Sequence, residues 1–138
     1  MKSKNMPVEL FDNQEPLTCV RCGKNLFEEP GIVVFIENES GDYTDVYTCC
    51  KGRCDEVLKK RIGENESDGW KEVTDFMNPL IFLKEWMAVM NNIYEGKKFE
   101  EAACEKFKDI LIAAAPYVLR QPTDGEKRSY QTDMMIPF

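Results

Sequence analysis

Five of the six cysteines fall in two short clusters, Cys19-Val20-Arg21-Cys22 and Cys49-Cys50-Lys51-Gly52-Arg53-Cys54. The residues between them read as a β-hairpin. The two residues between Cys19 and Cys22 allow one tight turn to aim both sulfurs at a single point. Gly23 follows, where a positive φ lets backbone amides face those sulfurs. A hairpin then returns the second cluster beside the first. Four thiolates converging in this way match the demand of a tetrahedral zinc ion.

We therefore expect zinc held by Cys19, Cys22, Cys50 and Cys54, with Cys49 as the alternative to Cys50. Cys50 and Cys54 form an i, i+4 pair, whereas Cys49 would reach in from the end of a strand. Four thiolates close the coordination sphere, so the expected role of the ion is structural. The chain contains no histidine. This excludes His-based zinc hydrolysis and the Ser-His and Cys-His triads. Neither a deaminase signature nor a Gly-rich phosphate loop is present, and no catalytic constellation is visible.

The hairpin strands are predicted at residues 31–37, a β-branched and aromatic run, and 43–48, with turn chemistry and Gly41 between them. A short helix is predicted over 55–62, acidic in its first turn and basic in its last. The order of knuckle, hairpin and ligand-bearing helix resembles the treble-clef zinc fingers. The resemblance is carried by Cys19-Val20-Arg21-Cys22-Gly23, the hairpin, and Cys50 and Cys54 at the start of the helix. It covers about a third of the chain. The second cysteine pair departs from the commonest treble-clef spacing of two intervening residues. Treble clefs serve in nucleic-acid binding, in protein docking and in some nucleases, so the resemblance implies a fold more than a function.

Beyond residue 63 the pattern becomes helical. Residues 64–69 are polar and glycine-bounded and are expected to link two modules. Residues 70–77 fit either a helical turn or an extended segment. Asn78-Pro79 is an N-cap followed by proline at the first helical position. The helix predicted at 79–94 carries Leu83, Trp86, Met87, Met90, Ile93 and Tyr94 on one face. Further apolar residues widen that face, so this helix is either central or covers a partner. A second helix, at 99–115, places Phe99, Ala103, Phe107, Ile110, Leu111 and Ala114 together, and Pro116 stops or kinks it. The short connection predicts an antiparallel pair. Trp70 and Trp86, with Phe76 and Phe82, are expected in the core, as is Cys104.

The net charge of −7 is spread over both halves, with −5 in residues 1–70 and −2 in the remainder. This is not the basic excess of a chain that grips phosphates. The one local basic cluster, Lys51, Arg53, Lys59, Lys60 and Arg61, is the candidate nucleic-acid contact. The first residues lack the apolar run of a secretory signal, and no stretch approaches the ~20 apolar residues of a membrane span. A cytoplasmic location is expected, where thiols serve as ligands more often than as disulfides.

The expected fold class is α+β. A lead-in at 1–16 precedes a treble-clef-like module at 17–63, a linker at 64–69, a helical module at 70–120 and a tail at 121–138. The expected function is that of a structural-zinc adaptor engaging a protein partner or a second copy. Its interface would include Trp86, Met87, Met90 and the apolar tail residues Met134, Met135, Ile136 and Phe138. The alternative is a nucleic-acid-associated regulator that uses the finger helix.

Overall fold

Ile32-Val33-Val34-Phe35-Ile36 has no polar alternation, so a strand built from it must be covered on both faces. In the computed structural model, which describes residues 16–133, this run forms β1 (Gly31–Glu37), the central strand of a three-stranded antiparallel sheet. All five of these side chains are buried. Asn38 Oδ1 accepts from the amides of Ser40 and Asp42, and Gly41 takes φ 81°, which closes the turn. The chain returns as β2 (Tyr43–Cys50), which pairs Gly31 with Cys50 and Ile32 with Cys49.

Helix α1 (Arg53–Lys59) follows directly. The other edge of β1 is taken by β3 (Ser67–Glu72), with Val34 opposite Trp70 and Ile32 opposite Glu72. Residues 67–69, expected in a linker, are therefore strand. Ser67-Asp68-Gly69 has little intrinsic β preference; an open edge on a fully apolar central strand supplies the preference instead. The ambiguous stretch 70–77 divides into the end of β3 and a single turn, α2 (Val73–Phe76).

Helix α3 (Pro79–Tyr94) begins as expected, with the Asn78 side chain accepting from the Leu80 amide at 3.0 Å. Its buried residues are Ile81, Glu85 and Val89. The face carrying Leu83, Trp86, Met87, Met90, Ile93 and Tyr94 is exposed. Helix α4 (Glu101–Val118) buries Ala103, Phe107, Ile110, Ala113 and Ala114. It packs mainly over β2 and meets α3 less extensively, with Trp86 and Phe107 stacked at 6.4 Å. Pro116 does not stop it. That residue lies in the last turn, where few bonds remain to be lost.

Phe107 joins helix and sheet, with its ring 5.4 Å from Phe35 and 5.7 Å from Phe99. One apolar core thus draws on residues from Leu17 to Ala114. Of the aromatics expected inside, Phe76 is fully buried and Phe82 partly so, but Trp70 and Trp86 are exposed. Trp70 sits on the edge strand beneath the Lys51 ammonium, 5.7 Å from its ring centre.

The segment expected as a tail, 121–138, contains helix α5 (Asp124–Asp133), which packs on α3. Its start is a capping box. The Glu126 amide donates to Thr123 Oγ1 at 3.1 Å, and the Thr123 amide donates to Glu126 Oε1 at 2.9 Å. Arg120 donates to both Glu126 oxygens and to the Met77 carbonyl, and Asn78 Nδ2 donates to the Glu126 carbonyl at 2.9 Å. The lead-in through residue 15 and the candidate interface residues Met134, Met135, Ile136 and Phe138 lie outside the described residues. Among the described residues, no helix is long and apolar enough to cross a membrane.

Candidate metal centre

The first half of the centre is a tight turn clamped by its own backbone. Cys19 N–H donates to the Lys24 carbonyl at 3.0 Å, and Gly23 N–H donates to the Cys19 carbonyl at 2.9 Å. Gly23 makes this closure at φ 78°, a conformation that costs glycine little. The turn is tied to the sheet, since Val20 N–H donates to the Thr48 carbonyl at 3.0 Å and Thr48 Oγ1 donates to the Thr18 carbonyl at 2.7 Å. The knuckle therefore cannot drift from the end of β2, where the second half of the centre begins.

That second half relies on the alternation of a strand. Adjacent residues on β2 point to opposite faces, so Cys49 and Cys50 cannot both join the cluster. Cys49 points into the core and is 0% exposed, while Cys50 points to the knuckle. Of the two cysteines left open by sequence, it is Cys50 whose sulfur lies in the cluster. Gly52, at φ 104°, turns the chain so that Cys54 enters on the first turn of α1. The sulfurs of Cys19, Cys22, Cys50 and Cys54 lie within 4.8 Å of one another, and those of Cys22 and Cys50 are 3.4 Å apart.

The donor set fits a metal ion. A regular tetrahedron of thiolates with bonds of about 2.3 Å has edges of about 3.8 Å. Shifts of less than about 1 Å per sulfur would reach that geometry from the observed separations. Three sulfurs or fewer would leave an open position for water, but four can close the sphere.

The surroundings favour negative sulfur. Burial opposes ionisation of Cys19, but the backbone amides of Cys22, Cys50 and Arg21 outweigh it and bring the thiol down to about 6. The amides of Arg21 and Cys22 each lie 3.4 Å from that sulfur. Cys50 is pushed up to about 12 by burial and by the neighbouring Cys22 and Cys19. Without a cation, then, one thiolate suppresses the next. The four cysteines would hold a dication as thiolates, and its charge would relieve that repulsion at the cost of their protons. Cys49, on the core side, is also pushed up to about 12, chiefly by burial and then by Asp55.

Arg21 had no role assigned from the sequence. Its guanidinium reaches Cys54 Sγ at 3.6 Å, where it would offset the excess negative charge of four thiolates around a bound dication. Its place inside the Cys-x-x-Cys turn was the available signal. Gly52 was likewise missed, although a glycine between two ligands is the ordinary mark of a forced turn. Cys104 stands apart on α4, half-buried.

Lys51, Arg53, Lys59, Lys60 and Arg61 are all exposed around α1. Two of them have carboxylate partners, Lys51 with Glu72 and Lys59 with Asp55 at 3.3 Å. Trp86, Met87 and Met90 lie on the exposed face of α3 and are not part of the thiol cluster. No family model, curated protein or solved structure matches the chain.

Proposed function

We propose that the protein is a small adaptor in which a structural zinc ion stabilises a treble-clef-like module and α3 presents an apolar face to a protein partner. Zinc suits four soft thiolates with no redox demand, and the closed sphere leaves it no substrate position. The knuckle, the β1–β2 hairpin and the ligand on α1 follow the treble-clef order. The ion supplies cross-linking where the local chain has little core of its own.

One observation carries the interaction reading. Helix α3 is apolar on two sides, since Ile81 and Val89 are buried beneath it while a second apolar face is left exposed. It buries a carboxylate, Glu85, and exposes Leu83, Met87, Met90 and Tyr94 at 53%, 58%, 52% and 89%. Ordinary amphipathic helices direct such residues inward. Methionine-rich apolar surfaces of this size mark contact sites. The five basic residues around α1 support a nucleic-acid reading less well, since two are paired and the chain is acidic overall.

The test is affinity capture with the full metal-loaded chain against Met90→Lys. Proteins held by the natural chain, including further copies of itself, should be lost with the variant. Equal capture by both would reject the α3 face as the interaction site.

A further inference from the structure

The exposed side chains of α3 follow a stricter rule than general apolarity. Leu83, Met87, Met90 and Tyr94 are spaced four, three and four residues apart. This is the alternating spacing of a two-helix seam, in which apolar residues recur every 3.5 positions on average. The seam lies on the side of α3 away from the sheet, because Ile81, Glu85 and Val89 occupy the buried side. Trp86 and Ile93 flank it on one edge, and Lys84 and Asn91 flank it on the other. No charged residue interrupts it.

We propose that two copies of the chain pair through α3, antiparallel and related by a two-fold axis. This rests on the reading of α3 as an interaction face and names its occupant. The spacing four-three-four reads the same in either direction, which is the property an isologous contact needs. Reversing one helix about the point midway between Met87 and Met90 sets Leu83 against Tyr94 of the second copy. Met87 then meets Met90, and Trp86 comes beside Ile93. Each large side chain faces a smaller or more adaptable one.

The available area matches this partner. From their exposed fractions, Leu83, Trp86, Met87, Met90, Ile93 and Tyr94 together expose roughly 700 Å², an upper limit on burial that falls within the ~600–1,000 Å² per partner of specific interfaces. It also exceeds the largest apolar patch usual on a monomer, about 300–600 Å². The helix ends at Glu95-Gly96, with Gly96 at φ 105°, so the seam stops where its symmetry requires.

The experiment is sedimentation equilibrium of the full metal-loaded chain at roughly 10–100 μM, a range that detects micromolar association. The natural chain should be dimeric. Met87→Glu and Met90→Lys, both exposed substitutions, should each raise the dissociation constant at least about tenfold. Mixing the two variants should restore association. Antiparallel pairing alone sets position 87 of one copy against position 90 of the other, where the introduced carboxylate meets the introduced ammonium. Circular dichroism and metal content should be unchanged in both. A monomeric natural chain overturns the proposal, whether residues 134–138 or another protein then cover the stripe. A dimer indifferent to both substitutions, or variants that stay apart on mixing, also overturns it. The adaptor reading survives such a result if the natural chain captures a different protein and Met90→Lys does not.

Discussion

Lys71 Nζ lies 3.6 Å from Glu85 Oε1, tying edge strand β3 to helix α3 through two side chains that are almost wholly removed from solvent. Lys84 approaches the same carboxylate at 3.7 Å from the surface side. A buried ion pair contributes modestly as a pair but is costly to break singly, because the survivor is left charged in a poor solvent. Glu85→Ala should therefore destabilise by about 3–5 kcal/mol in urea unfolding. Replacing both partners, Lys71→Met with Glu85→Leu, should recover most of that loss. A single variant as stable as the natural chain would show that the pair does not fasten β3 to α3.

The junction of α4 and α5 predicts an acid response. The Arg120 guanidinium beside Glu126, helped by Thr123, holds the Glu126 carboxyl down at about 2, against an ordinary value of 4.5. A carboxyl depressed by folding stabilises above its unfolded value and loses that contribution as pH falls toward the folded one. The contribution is complete above about pH 4.5 and fades between there and pH 2. The pair is partly exposed, so its worth is about 1 kcal/mol. Glu126→Gln should lower the melting temperature at pH 7, and the difference from the natural chain should shrink below about pH 4.5. A difference independent of pH would contradict the assignment.

Thr123→Ala removes one half of the capping box and should cost about 1 kcal/mol, read as fraying of α5 in amide exchange. Unchanged protection over the first turn of α5 would show that Arg120 and Asn78 hold the helix without the cap.

Cys49 and Cys50 are neighbours in sequence with opposite expected phenotypes. Cys49→Ser should keep the metal but lose about 1–3 kcal/mol, because it places a hydroxyl in the core. Cys50→Ser should lose metal affinity. Metal titration and chemical unfolding of the two variants separate these effects, and the reverse pattern would move the site to the other side of β2.

Much of the centre was legible in the sequence because metal ligation is local chemistry. Cys-x-x-Cys-Gly dictates its own turn, and the hairpin follows from β-branched residues around Asn38–Asp42. Strand parity separates Cys49 from Cys50, but only once the strand is known to run through both. The third strand was hidden because Ser67-Asp68-Gly69 becomes β only against β1. The missing alternation in Ile32–Ile36 was nonetheless a sign that β1 needed a second neighbour. Helix α3 was open to two readings for another reason. Periodicity finds an apolar stripe but does not say which side is covered: the stripe is exposed and Glu85 is buried. Helix α5 was readable from Thr123-Asp124-Gly125-Glu126, a capping box without an apolar run behind it.

The proposal that zinc holds the knuckle to α1 is tested most directly by elemental analysis of the full chain, purified under reducing conditions without chelator. One zinc per chain is expected, with Cys19, Cys22, Cys50 and Cys54 shielded from thiol reagents until a chelator removes the ion. A folded chain without metal, or with all four thiols freely reactive while the ion is bound, would contradict it.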